Sequence, residues 1–497
     1  MQVINTNISS LNSQRHLNNT QSALSTSLER LSSGKRINSA KDDAAGLGIS
    51  DRMTAQINGM NQAIRNARDG ISMSQTAEGA LSTSRDMLQR IRTLAVQSSN
   101  ATNASVDRQA LQDEVNELTA ELNRIAQTTT FNGQKLLDGT LGGQNFQVGA
   151  NAGELITANG TNFQTSVYGG NRIYSKAANV AAKGTLTDAK VTISGNLGTS
   201  KELDFSAAKS AKAAAVLVNA ESGKTGVTAT ARTEALFTAK ENVSYSLQIK
   251  SNNSEEITLS FTIGEKLDAD GYAEAINAFN SASAKTGVTA EYSADLGGIK
   301  LTNAAGETIS LGRVKDTGDA NAKLANLQYD SATDIATAGT AVAVAEVDPA
   351  TAGDFADKAV AAVGTVTFDS QAGFSISAAG TTDFAATANS SKLKSVASLD
   401  VSTFDKAQLA IAICDAAINT IDKEMSRYGA LQSRFDSTIK NLEVNAENTS
   451  NARSRIQDAD YASETAELSR ASILQQAGTA MLAQANQMPQ TVLSLIG

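Results

Sequence analysis

The side chains in this sequence that could carry chemistry are few. One histidine, His16, lies in the polar run SQRHLNN. A zinc site of the HExxH kind needs two histidines, and a nucleophilic triad needs one held beside its serine or cysteine. His16 therefore reads as a solvated or interfacial side chain. One cysteine, Cys414, excludes an intramolecular disulfide and falls on an apolar seam, where it reads as a small buried hydrophobe. Gly223-Lys224-Thr225 imitates the tail of a phosphate loop, but the glycine required five residues earlier is Val218. The string KTGVTA recurs at Lys285–Ala290, with Ala284 where Gly223 stood. The glycines that would let backbone N–H groups cradle a phosphate are missing. No catalytic, metal or cofactor site is expected, and no enzyme.

The elements behind these residues point elsewhere. At roughly 150 residues per domain, 497 residues suggest about three domains. Only 4% of residues are aromatic, Trp is absent, and proline occurs at Pro349 and Pro489 alone, a composition that favours long helices and repetitive, lightly packed structure. The net charge of −9 argues against a nucleic-acid partner, which calls for a basic footprint. No window reaches the roughly 20 apolar residues of a membrane span. The opening MQVINTNISSLNSQRHLNN has no basic region followed by an apolar one, so a cleaved signal peptide is not expected.

The two ends read as helical. Ile411, Cys414, Ile418, Ile421, Met425, Tyr428, Phe435, Ile439, Leu442 and Ala446 follow the alternating three-four spacing of a coiled-coil seam. Continued to Ile456, it greatly exceeds the roughly 11 to 12 residues of an average helix. Matching patterns run from Met53 through Ile64 and Leu81 to Ala95, and from Leu111 to Ile125. Gly59, Gly70 and Gly79 weaken the first of these, so it must lean on partners. Ser402 with Asp405 reads as a capping box at the start of the C-terminal rod. Asn132-Gly133 reads as a tight hairpin turn.

Between about residues 176 and 394 the composition shifts to Ala, Thr, Gly and Ser with short alternating runs. Ile257, Leu259, Phe261 and Ile263 alternate with Thr258, Ser260 and Thr262, the pattern of a half-buried strand. Each KTGVTA follows an Ala-rich helical stretch, which reads as a duplicated strand–helix–strand unit. A degenerate relative is read around FADKAVAAVGTVTF. The expected architecture is mainly α at two paired ends, with a β-rich α+β central insertion, in an elongated multidomain chain.

The extreme ends share an unusual chemistry. Residues 471–497 contain no Asp, Glu, Lys or Arg. Leu474, Met481, Leu482, Val492, Leu493 and Leu495 are interleaved there with Gln and Asn. At the other end Ile4, Ile8, Leu11, Leu17, Leu24, Leu28 and Leu31 form a stripe with few charges. A solvent-facing helix normally carries charge on its wet face, so these helices are expected to be buried on most sides, near the axis of a polymer. A head-to-tail contact that does not close into a ring gives an open filament. The stretch RLSSGKRINSAKDDAAG then reads as a joint. Ser-Ser-Gly34 stops the terminal helix, and Lys35, Arg36, Lys41, Asp42 and Asp43 pair locally or with neighbouring subunits.

Two sets of segments resemble the bacterial flagellins. VINTNISSLNSQRHLNNTQSALSTSLERLSSGKRINSAKDDAAGLGIS, QTAEGAL, LQRIRTLAVQSSN and TTFNGQKLLDG resemble the family's N-terminal half. SRYGALQSRFDSTIKNLEVNAENTSNARSRIQDADYASETAELSR and MLAQANQMPQTVLSLI resemble its C-terminal half. The resemblance covers roughly residues 1–150 and 400–497. It implies a self-assembling structural subunit of the flagellar filament, outside the cell and used for motility; the alternative is a hook–filament junction protein. It also implies three regions: 1–45 with 457–497 as helices of an inner tube, 46–175 with 395–456 as a helical rod with a hairpin, and 176–394 as variable outer domains. Implied partners are copies of the chain itself, the flagellar export apparatus and its chaperone, the filament cap and the junction proteins. A flagellin-sensing Toll-like receptor of animal hosts is implied as well, with Gln89, Arg90, Leu94 and Glu114 matching the positions that usually meet it. Met87, Arg90, Leu94 and Gln97 are read as a stripe beside the Leu88–Ile91–Ala95 seam.

Overall fold

A computed structural model of the chain describes residues 6–176, 180–182, 190–205, 210–315, 321–330, 334, 336–351, 353–379 and 390–496. Its helices are α1 (Ile8–Ser33), α2 (Ala44–Ser98), α3 (Ser105–Thr128), α4 (Ala211–Ala220), α5 (Ser222–Thr225), α6 (Ala273–Ser281), α7 (Ser283–Thr286), α8 (Asp354–Lys358), α9 (Phe404–Gln457) and α10 (Tyr461–Ile496). The β-strands lie between α3 and α9. The ends are helical and the centre is β-rich. Two compact units divide the chain: residues 1–78, 141–160 and 426–497 in one, 79–140 and 161–425 in the other.

In the first unit, α1 is capped by Asn7, whose side chain accepts from the Ser10 N–H at 3.0 Å. It stops at Gly34, whose φ of 69° is left-handed and whose N–H returns to the Arg30 carbonyl. The predicted Ser-Ser-Gly stop is thus where the helix ends. Asp43 caps α2 by accepting from the Gly46 N–H at 2.8 Å. Gly70 gives Phe435 a seat, since a Cβ there would lie 2.7 Å from the ring's Cζ. Phe146, from the hairpin Gly143–Gln147/Leu155–Asn159, meets Phe435 edge-on at 5.5 Å between centroids. Gly59 similarly receives Ala150 of the hairpin turn, at 3.1 Å from its would-be Cβ. Two of the helix-weakening glycines therefore exist for close approach.

The second unit holds α3, parts of α2 and α9, and the remaining sheets. Asn132 and Gly133, at φ of 49° and 78°, make the turn between Thr130–Phe131 and Gln134–Lys135. A nine-stranded sheet runs Val288–Ser293, Gly298–Asn303, Val227–Thr238, Thr365–Ser370, Gly169–Tyr174 and Lys392–Ser395, with three further strands branching at Lys323–Tyr329. A six-stranded sheet centres on Ser244–Lys250 and Ile309–Val314. Tyr245, Leu247, Ile249, Leu259, Phe261, Tyr272 and Phe279 form the core beneath it.

The duplication is visible atom by atom. Asn219 at the end of α4 donates to the Ala229 carbonyl and accepts from the Ala229 N–H, both at 2.8 Å. Asn280 in α6 makes the same pair with Ala290, at 2.9 and 2.8 Å. Thr225 and Thr286, both buried, accept from the N–H groups of Val227 and Val288 at 3.2 Å. The glycines between them take φ of 72° and 68°. The would-be phosphate loop is therefore a single helical turn linking a helix to a strand. The stretch read as a degenerate relative has a five-residue helix, α8, before Val360–Ala362, which joins the six-stranded sheet rather than the nine-stranded one.

Two expectations are corrected. The capping box at Ser402 is not the one formed: α9 begins at Phe404, Thr403 Oγ1 accepts from the Lys406 N–H at 3.3 Å, and Asp405 turns to two cations instead. The buried line of α9 is also broader than a two-position seam. Ala407, Ala410, Ile413, Cys414, Ala417, Ile421, Tyr428, Leu431, Phe435, Ile439 and Leu442 are buried, whereas Ile411, Ile418 and Met425 are half-buried. A helix contacted on more than one side buries a wider stripe than a coiled-coil seam. Burial pushes the Cys414 thiol up to about 12.

Candidate assembly and recognition surfaces

α1 and α10 pair antiparallel. Leu17, Leu24 and Leu31 are half-buried along α1, and Ala471 and Ala485 are buried on α10. The single stripe read from the sequence is split by this pairing. Leu24, Leu31 and Leu482 are half-buried, while Ile8 (65% exposed), Leu11, Leu28, Leu474 and Met481 (63%) face outward, together with Ile473. The spacing of seven puts the three leucines on one face, and the remaining apolar residues fall outside it. Ile4 lies outside the described residues, as do the side chains of Val492, Leu493 and Leu495. His16 is exposed.

The joint is tied into the same pair. Lys35 bridges Asp458 through the backbone, Arg36 N–H donates to the Gln457 carbonyl at 2.7 Å, and Ala459 N–H donates to Gly34 at 3.0 Å. The Arg36 guanidinium donates to the Ile456 carbonyl. Asp42 accepts from the N–H groups of Ser39 and Asn38, which hold its carboxyl below the usual range. Asp42 and Asp43 thus serve chiefly backbone donors rather than the lysine and arginine side chains nearby in sequence.

On α2 and α3, Gln89 and Arg90 are exposed, and Arg90 Nη2 meets Oε1 of the half-buried Glu114 at 2.8 Å. Leu94, read as part of a stripe beside the Leu88–Ile91–Ala95 seam, lies with that seam instead. It is 1% exposed and belongs to the core with Leu88, Ile91 and Ala95. Four apolar residues within eight positions cover more than one seam, so Leu94 turns inward while Gln97 stays exposed.

A further cluster gave no sequence signal. Asp405, in the first turn of α9, accepts from Arg232 at 3.0 Å and Lys300 at 3.1 Å. Both cations also meet Glu234, at 2.9 and 3.1 Å, and the Tyr329 hydroxyl donates to Glu234. Burial alone would raise the Asp405 carboxyl, but Lys300 and Arg232 outweigh it and hold it low. The five residues come from four elements spread over 170 positions or so, beyond the reach of any local pattern.

A model of the bacterial flagellin N-terminal helical region matches residues 4–141, and one of the C-terminal helical region matches residues 411–496. The chain is 43% identical to a B-type flagellin of Pseudomonas aeruginosa, covering 99% of each chain. It is 37% identical to a flagellin of Salmonella typhimurium, covering 100% of this chain and 99% of the other. Among solved structures, FliC of Burkholderia pseudomallei is 21% identical with a TM-score of 0.31, over 73% of this chain and 99% of that one. The flagellar hook associated protein-3 of Legionella pneumophila is 14% identical with a TM-score of 0.35, over 82% and 98%. Relatives that span the whole chain at such identity define its class as a structural, filament-forming protein. The chain belongs to the bacterial flagellins and is a subunit of the flagellar filament. The hook–filament junction alternative is not favoured, since the relatives that match the whole chain at 43% and 37% identity are flagellins.

Proposed function

We propose that copies of this subunit join through the α1–α10 pair, and that residues 1–45 with 457–497 form the innermost layer of the filament. The carrying observation is the outward-facing set Ile8, Leu11, Leu28, Ile473, Leu474 and Met481 on a pair of helices whose C-terminal member carries no charge after Arg470. Apolar surface of this extent on a soluble chain calls for a partner, and a copy of the chain is the partner a filament supplies. Residues 46–175 with 395–456 form the surrounding layer, and 176–394 face outward. The subunit leaves the cell through the flagellar export apparatus, attended by a chaperone. It meets the cap and junction proteins at the filament's ends. The role is structural rather than enzymatic.

The same reading extends to a host Toll-like receptor. Gln89 and Arg90 present an exposed polar surface with the half-buried Glu114 paired to Arg90, and Leu94 is buried on the same helix.

Deleting the last thirty or so residues tests the assembly reading. The truncated chain is expected to retain its remaining helices by circular dichroism. It should give no filaments in electron microscopy after sulfate salt, which favours burial, or after short filament seeds. Filaments of the truncated chain would overturn the reading.

A further inference from the structure

The seam between α1 and α10 is poor at fixing its own alignment. Leu17, Leu24 and Leu31 repeat every seven residues on α1, and Ala471, Gly478 and Ala485 repeat every seven on α10. Gly478 faces Leu17, whose Cδ1 would lie 3.4 Å from a Cβ at that glycine. Sliding α10 by one heptad in one direction sets Leu17, Leu24 and Leu31 against Ala485, Gly478 and Ala471, whereas the opposite slide sets Leu24 against Glu464. The first slide loses little apolar burial, so packing alone leaves two alignments close in energy.

Polar rungs along the helices, together with the backbone ties between residues 34–37 and 457–459 at the joint, break this degeneracy. Asn7 donates from Nδ2 to the Ala485 carbonyl at 2.8 Å, and Ser10 Oγ donates to Asn486 Oδ1 at 2.7 Å. Further along, Gln475 Nε2 donates to Gln21 Oε1 at 2.6 Å, and Arg30 meets Glu464 at 3.7 Å. Positions rise on α1 as they fall on α10, so all four rungs agree on one alignment. A heptad slip breaks them together. In open water such amide pairs contribute little. In the water-poor interior of a polymer an unmade bond is not replaced by solvent, and the same pairs discriminate more strongly.

We infer that Ser10 with Asn486 and Gln21 with Gln475 are positioning residues. They set the register of α1 against α10, and so line up the outward apolar residues of one subunit for the next. A polar pair at one core position of a coiled coil fixes register in the same way, at some cost in stability. The inference rests on the reading that those outward residues form the polymer contact.

Cysteine pairs read the register directly in the full-length dispersed chain carrying Cys414→Ala. Leu17→Cys with Gly478→Cys reports the observed alignment. Leu17→Cys with Ala471→Cys or Ala485→Cys reports a heptad slip, about 10 Å away along the helix and beyond disulfide reach. With the rungs intact only the first pair should oxidise. Replacing Ser10, Gln21, Gln475 and Asn486 by Ala should lower that selectivity by about two- to threefold per rung in the dispersed chain. Gln21→Glu with Gln475→Lys should restore it, which a purely structural loss would not allow.

Selectivity unchanged in the chain lacking the Ser10–Asn486 and Gln21–Gln475 rungs overturns the inference, and so does failure of every pair to oxidise with the rungs intact. Seeded growth separates it from the reading it rests on. Lost register with normal growth overturns the link between register and polymerisation. Kept register with failed growth overturns the rungs as register setters and leaves the polymer contact standing. Lost register with growth slowed tenfold or more supports both.

Discussion

At the scale of single residues, close approach and charge are the two determinants. Gly70 is a seat for Phe435, and the 2.7 Å left for a Cβ is far below a van der Waals contact. Gly70→Ala gains helix propensity of about 1 kcal/mol, yet must displace a buried ring held edge-on by Phe146. The expected net result is a loss of about 1–3 kcal/mol, the usual cost of overpacking, read by denaturant unfolding. A variant as stable as the wild type would show that the ring can move aside freely. Arg90 tests the opposite regime. Its pair with Glu114 is solvent-exposed, and such pairs contribute at most about 1 kcal/mol. Arg90→Ala should therefore leave the unfolding midpoint nearly unchanged while weakening Toll-like receptor signalling by the soluble subunit. Equal signalling by both forms would remove Arg90 from the recognition surface.

At the scale of elements, the duplicated unit shows how a short helix is fixed to the strand that follows it. In each copy one asparagine bonds both polar groups of a strand residue ten positions on, while a left-handed glycine turns the chain between them. Asn280→Ala leaves the Ala290 N–H and carbonyl without these partners and should cost about 1–3 kcal/mol. Asn280→Asp keeps an acceptor for the N–H but no donor for the carbonyl, so its loss should be intermediate. Thermal unfolding of the three forms orders them, and an Ala variant no weaker than the Asp variant would refute the pairing as a source of stability.

At the scale of the whole molecule, long-range charge joins the start of α9 to the nine-stranded sheet within the second unit. Asp405 is held below its ordinary range by Lys300 and Arg232, so its contribution is present above an unfolded value of about 4. That contribution disappears as the pH falls through the lowered folded value. Asp405→Asn should cost about 1 kcal/mol at neutral pH, a figure reduced for the partial exposure of the carboxylate. The gap between variant and wild type should close in acid. A gap constant from pH 7 down to pH 2 would mean that Asp405 acts through packing rather than charge.

The sequence by itself determined what depends on neighbours in the chain. The helix stop at Gly34, the hairpin at Asn132-Gly133, the repeat around KTGVTA and the missing glycines of a phosphate loop all follow from local backbone preference. The uncharged ends and the flagellin-like segments carried the class of the protein, because composition and long matched runs do not need a fold to be read. Tertiary structure decided the rest. Whether Leu94 faces water or core depends on what lies against a helix face, and periodicity gives only the face's angle. The split of the terminal stripe into Leu17, Leu24 and Leu31 against Ile8, Leu11 and Leu28 came from the pairing with α10. Arg232, Glu234, Lys300, Tyr329 and Asp405 meet only because the sheet brings distant strands to the first turn of α9. Coulomb attraction acts on distance in space, and that distance is set by the fold.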